Sequence, residues 1–187
     1  MIEHLINTEF YNTPEGDVMI KINDQPVKML SENETEVISA LLCVIQDRYP
    51  SSFKRLSEIY TKSEKNKTLY EFKIVRRFIK CNFGEYDQYK SDIDHKGIFN
   101  FEEVRCPLRG DCRDECVICK PTLNNNISER EMEVFRLLYD NYEIQDIADE
   151  LFISPATVIR HRENIKAKIK VNSTAKMIKY FSDNNLK

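Results

Sequence analysis

The chain has 187 residues, with 28 Lys and Arg against 31 Asp and Glu, six Cys, four Gly and no Trp. That length supports one domain or two small ones, with a core that needs no disulfides, and so little glycine argues against glycine-rich phosphate loops. The longest apolar run, around Val37–Ile45, is broken by Ser39 and falls far short of the ~20 residues of a membrane helix. The N-terminus opens with Glu3 and His4 and lacks the basic-then-apolar pattern of a secretory leader. The expectation is a cytoplasmic protein whose cysteines are reduced, serving as metal ligands or free thiols. A net charge of −3 gives no whole-chain hint of nucleic acid.

In chain order, Val18, Ile20 and Ile22 alternate with Met19 and Lys21, and Asn23-Asp24 signals a turn. This predicts a β-hairpin over 17–30 whose second strand Pro26 confines to a sheet edge. Ser31-x-x-Glu34 reads as a capping box opening a helix with Val37, Ile38, Leu41, Leu42 and Ile45 inward, ending before Pro50. Cys43, within that apolar helix, is expected in the core. A second helix is expected from Ser52, carrying Phe53, Leu56, Ile59 and Tyr60. A third spans 69–83, packs Phe72, Val75, Phe78 and Ile79, and stops at Gly84. Glu85–Asp87 and Asp92–His95 read as polar turns, with cation chelation the weaker alternative at Asp92–His95. Phe99 and Phe101 alternate with polar residues and predict a strand running into Cys106.

Cys106, Cys112, Cys116 and Cys119 follow with the spacing C-x5-C-x3-C-x2-C, in backbone broken by Pro107, Gly110 and Pro121. Four thiolates in one compact loop suit a tetrahedral zinc ion. Plain reduced thiols in a small loop rank second, and an iron–sulfur cluster, which also uses four cysteines, ranks third. The Cys116-x-x-Cys119 pair is the stronger half, and Cys81 is the alternative ligand should one of the looser pair be absent. The boundary is drawn at residues 120–126, with 1–120 a small α+β domain, 121–126 a polar linker and 127–187 a helical domain.

Charge is uneven beyond that linker. Glu143–Glu150 carries four acids and no cation, whereas Ala156–Lys170 carries five cations (Arg160, Arg162, Lys166, Lys168, Lys170) and one acid, Glu163. Ser128 and Glu131 form a capping box ahead of a helix with Val134, Phe135, Leu137 and Leu138 apolar. Ile144, Ile147, Ala148 and Leu151 stripe a second, short helix. After a tight turn at Phe152-Ile153, Ser154-Pro155 is a strong helix start, serine at the cap and proline at the first turn. Ser173 caps a last helix with Ala175, Ile178 and Phe181 as its apolar positions. Two helices joined by a three-residue turn have helix-turn-helix geometry. On the third helix, Val158, Ile165 and Ile169 share the inner face, Arg160, Glu163 and Ala167 lie opposite, and Ile159, Asn164, Lys166 and Lys170 flank them. Such a helix fits a major groove about 12 Å wide.

The strings ISEREMEVFRLL, DIADELFISPATV and IRHRENIKAKI resemble the LuxR/GerE-type helix-turn-helix of bacterial transcription regulators, over 127–181. The resemblance implies a four-helix domain that binds double-stranded DNA as a dimer, paired through its fourth helix, with recognition helix Pro155–Ile169. It implies base-facing positions at Ile159, Arg160 and Glu163, and phosphate-facing positions at Thr157, His161, Lys166 and Lys168, while Ser154 caps the helix and Asn164 lies on its flank. The chain departs from the family pattern at Asn141 and Lys170, where Gly is usual, at Glu143, which replaces a Ser/Thr cap and predicts a weak helix start, and at Ile159, where Lys is common. A sigma-like factor bound to RNA polymerase is the alternative, since such factors use the same helix pair. No Ser-His-Asp, P-loop or paired-carboxylate signature points to an enzyme. The fold expected is mainly α, a LuxR-type four-helix domain after a small α+β domain.

Overall fold

A computed structural model describes residues 3–87, 89–124, 126–184 and 186. They divide into two compact units, Met1–Leu123 and Asn124–Lys187. Pro121 and Leu123, read as linker, are both buried. Among the described residues no helix is long and apolar enough to cross a membrane.

The first unit opens with strands β1 (Thr8–Asn12), β2 (Val18–Ile22) and β3 (Lys28–Met29), antiparallel in the order β1-β2-β3. The predicted hairpin is β2 with β3, and β3 is the edge that Pro26 requires. The sequence pattern hides β1 because Thr8, Glu9 and Phe10 are all buried, and a strand covered on both faces does not alternate. One cover is the segment after the third helix, where Thr8 pairs with Ile93 and Ile93 with Phe99 as single bridges. The strand expected to run into Cys106 reduces to that Phe99 bridge. Phe99 and Phe101 join Tyr49, Phe78 and Phe83 in an aromatic cluster instead, with ring centroids 5.3–6.0 Å apart.

Helices α1 (Thr35–Arg48) and α2 (Pro50–Tyr60) pack against each other and against α3 (Lys67–Asn82), which packs against β1 and β2. α1 buries Val37, Ile38, Leu41 and Ile45 as expected. Cys43 is exposed rather than core, since it lies about 200° around the helix from Leu41. Ser31 does not cap α1: Glu34 occupies the cap without a side-chain hydrogen bond, and its carboxylate is held by Lys28. α2 starts at Pro50, two residues before the expected Ser52, because proline suits the first helical position. Ser52 is buried and donates to the Val117 carbonyl at 2.5 Å. Ile59 is exposed.

Asn82, at the end of α3, is 1% exposed and uses its amide in three directions. Its Nδ2 donates to the carbonyls of Phe78 and Ile118, both at 2.9 Å, and its Oδ1 accepts from the Lys120 N–H at 3.0 Å. These bonds tie the loop around Cys119 to the residue next to Cys81.

The segment expected as one polar turn at Asp92–His95 splits in two. Asp94 is the turn residue, its Oδ1 accepting from the N–H groups of Lys96 and Ile98 at 2.8 and 2.9 Å. Asp92 is buried beside Glu9 and Glu102, with one carboxylate oxygen from each within 4.8 Å of the others. Its Oδ2 accepts from the Phe10 N–H at 2.7 Å, while Oδ1 has no partner. Burial, reinforced by the charge of Glu9, pushes the Asp92 carboxyl up to about 9 against the hydrogen bond from Phe10.

The second unit contains α4 (Glu129–Tyr139), α5 (Ile144–Glu150), α6 (Pro155–Lys168) and α7 (Thr174–Asp183). Its core holds Val134, Phe135, Leu138, Ile147, Ala148, Val158, Ile165, Met177 and Phe181. α7 turns Met177 and Phe181 inward, four residues apart, whereas the expected Ala175 is exposed and Ile178 half-buried. The Phe181 ring lies 4.8 Å from Phe135 and 4.6 Å from Tyr139. The Ser128 capping box forms as predicted: the Glu131 N–H donates to Ser128 Oγ at 3.3 Å and the Ser128 N–H to Glu131 Oε2 at 2.8 Å. The same Glu131 oxygen takes the Lys168 ammonium at 2.5 Å, and Glu131 is 4% exposed. Burial opposes its charge, yet the bonds from Lys168 and Ser128 prevail and hold the carboxyl below its usual range.

Two stability predictions follow from these buried acids. A raised Asp92 means that the folded chain retains a proton which the unfolded chain loses above about pH 4, so stability falls as pH rises from about 4 toward about 9. Asp92→Asn keeps an acceptor for Phe10 and removes that slope: its urea midpoint should exceed the parent's at pH 8 and match it near pH 4. Lys168→Ala leaves Glu131 charged and buried without its cation, and should cost about 2 kcal/mol of unfolding free energy at neutral pH; an unchanged urea midpoint would remove Lys168 from the framework.

Candidate functional site

The helix pair α5–α6 is joined by residues 151–154. Phe152 takes a left-handed φ of 53° there, and the Ile153 N–H returns to the Ala148 carbonyl at 2.9 Å. Ser154 caps α6, accepting from the Thr157 N–H at 3.1 Å, with the two hydroxyls 2.8 Å apart. Asn141 (φ 64°) and Lys170 (φ 57°) occupy the left-handed turns where glycine is usual in the LuxR pattern; asparagine adopts this region readily, whereas lysine carries a strain of about 1 kcal/mol. Glu143, expected to start α5 weakly, donates its N–H to Asp146 Oδ2 at 3.2 Å, which supports the start of that helix.

Val158 and Ile165 are fully buried and fix which face of α6 turns outward. Arg160, Glu163, Asn164 and Ala167 are exposed on that face, with Ile159 42% exposed beside them. Glu163 Oε1 accepts Lys166 Nζ at 2.7 Å and lies 3.2 Å from Arg162 Nη2, so its carboxyl is held below the usual range, chiefly by Lys166. That internal pairing neutralises Glu163 and lays Lys166 along the helix. Arg160 makes no ion pair or hydrogen bond among the described residues. It is an exposed cation on the same side as Asn164, four residues on.

The remaining predicted DNA residues divide. Thr157 is half-buried and engaged with the cap, and His161 is half-buried with its Nδ1 enclosed and without a partner. Lys168, expected toward phosphates, points its ammonium at buried Glu131. Phe152, expected only as a turn residue, is 94% exposed at the corner of the helix pair. A phenylalanine inside a turn string was the available signal.

In the first unit, Cys106, Cys112 and Cys119 line a cavity of about 460 Å³, and the fourth thiol on its wall is Cys81 from α3. Cys116 does not line it; it is exposed and sits at a turn with φ 59°. Burial pushes the Cys81 thiol up to about 11. All six cysteines are free thiols.

Comparison with known proteins bears on the second unit. The family described as "Bacterial regulatory proteins, luxR family" matches residues 125–181. Oxygen regulatory protein NreC of Staphylococcus epidermidis is 35% identical over 54 residues, which are 29% of this chain and 25% of that protein. Oxygen regulatory protein NreC of Staphylococcus haemolyticus is 35% identical over the same length and the same shares. The chain spans about a quarter of the length of these curated relatives. No solved structure matches it. With its capped helix pair, its buried Val158–Ile165 stripe and this match, the segment 125–181 is a LuxR-family (GerE) helix-turn-helix domain.

Proposed function

We propose that the chain is a sequence-specific DNA-binding transcription regulator that lays α6 in the major groove, as a dimer. The observation that carries this reading is the outer face of α6. Arg160 is exposed and unspent there, Asn164 stands beside it, and small Ala156 and Ala167 let the helix backbone approach the bases. An arginine so placed can take both acceptors of a guanine edge, and the amide of Asn164 can pair with adenine. Ile159 offers an apolar contact for a thymine methyl. Glu163, held ionised by Lys166 and Arg162, selects for a cytosine amino group and against phosphate.

Affinity comes from cations at the edges of that face, since phosphate contacts position a protein while base contacts specify. Lys170 fills this role, while Lys166 and Arg162 are engaged by Glu163 and Lys168 is withdrawn by Glu131. A dimer would present two copies of α6 to half-sites about one helical turn apart. The relatives match over 54 residues, a quarter of their own length, so the word "oxygen" in their names carries nothing to this chain.

Arg160→Ala should weaken binding to a DNA selected from a random pool by about 1–3 kcal/mol and broaden the preference at one base position, while the thermal midpoint stays unchanged. Lys170→Ala should weaken selected and random duplexes alike and reduce the salt slope by about one unit. Equal affinity of the parent and Arg160→Ala for the selected duplex would defeat the groove assignment.

A further inference from the structure

Four of the six thiols come from separate parts of the chain to one place. Cys81 lies in the last turn of α3, and Cys106, Cys112 and Cys119 lie in the loop beyond, 25 to 38 residues further along the chain. All four line the same cavity of about 460 Å³. Hydrogen bonds across and within the loop hold them there. Asn82 binds the backbone on both sides of Cys119. Ser52 holds the Val117 carbonyl at 2.5 Å, and Arg55 Nε holds Asp114 at 2.7 Å. Within the loop, Glu115 and Ile118 donate backward to Cys112 and Asp114 at 3.1 and 3.0 Å.

The same wall carries positive charge. Arg77, Lys80 and Arg109 line the cavity with the cysteines. Lys80 is held by the Gly16 carbonyl at 2.8 Å, and Arg109 lies near Glu103 and Glu115. Arg77 is half-buried and makes no hydrogen bond or ion pair among the described residues. Burial opposes its charge, yet Cys81, Tyr60, Cys112 and Asp114 together hold its pKa above the usual range, so the guanidinium already faces the thiols whose charge it would balance in a metal centre. Cys116 has none of these supports: it lies off the cavity wall at a left-handed turn position.

We propose that Cys81, Cys106, Cys112 and Cys119 are the ligands of a four-thiolate metal centre, with Arg77 offsetting its negative charge and Cys116 outside the ligand set. Two metals share this chemistry. A single zinc ion binds four thiolates at about 2.3 Å, whereas an iron–sulfur cluster spreads four thiolates around several iron atoms. Among the described residues no three of the thiols have sulfurs within 4.8 Å of one another, so a zinc centre requires the 106–119 loop to close inward.

The test is metal and acid-labile sulfide analysis of the full-length chain, purified anaerobically without chelator, as the parent and as Cys81→Ser and Cys116→Ser. The proposal expects about one zinc per chain without sulfide, or iron with matching sulfide and a visible absorption band. Either content should persist in Cys116→Ser and fall at least about tenfold in Cys81→Ser. Cobalt(II) titration of the parent provides a readout that needs no variant: a thiolate-to-cobalt charge-transfer band of four-sulfur intensity is expected. A parent free of zinc and iron that also gives no such band overturns the proposal. Loss of metal in Cys116→Ser with retention in Cys81→Ser overturns the ligand set.

Discussion

The first unit depends on one buried amide. Asn82 closes α3 and at the same time binds residues 118 and 120 across the cavity wall. Its own carbonyl accepts from the Glu102 N–H at 2.9 Å, so both ends of the irregular segment 102–120 hang on this residue. Irregular backbone cannot satisfy its polar groups internally as a helix does, and a buried loop needs such anchors. Asparagine suits the task because it offers two donors and an acceptor on one short side chain. With that anchor in place, α2 contributes Ser52 and Arg55, Ile118 becomes fully buried, and the cysteines acquire a common wall.

The second unit uses a different economy. Glu131 joins the start of α4 to the end of α6 through Ser128 and Lys168, and the pair is shielded from water on the acid's side. A charge held this way contributes to the angle between helices. A charge left alone on the outer face, as at Arg160, is available to a ligand. Four cations on one helix therefore do not form one class: Lys168 belongs to the framework, Lys166 and Arg162 neutralise Glu163, and Arg160 remains free.

Much of the second unit was legible because its signals are local. Capping residues, a proline at the first turn and apolar positions at helical spacing act within a few residues, and Ser128, Ser154 and Ser173 all cap where expected. The exception, α7, shows the limit: Ala175 and Ile178 satisfied the periodicity as well as Met177 did, and only the position of Phe135 and Tyr139 made Met177 and Phe181 the inner pair. In the first unit the legible parts were again α1, α3 and the β2–β3 hairpin. β1 was hidden because burial on both faces erases alternation, and Asp92 looked like a turn residue because polarity alone does not reveal enclosure.

By itself the sequence determined that a basic helix with an apolar inner stripe follows a short acidic helix, and that four cysteines lie close together along the chain. Those are statements about neighbours in sequence, which local pattern and composition carry. Which cations face outward, and which cysteines share a wall, were decided by tertiary contacts alone. Lys168 turns inward because α4 places Glu131 beside it. Cys81 shares a wall with Cys119 because Asn82 bonds across the loop, while Cys116 lies off that wall at a left-handed turn. Pairings over dozens of residues depend on the whole path of the chain, and no local spacing encodes them.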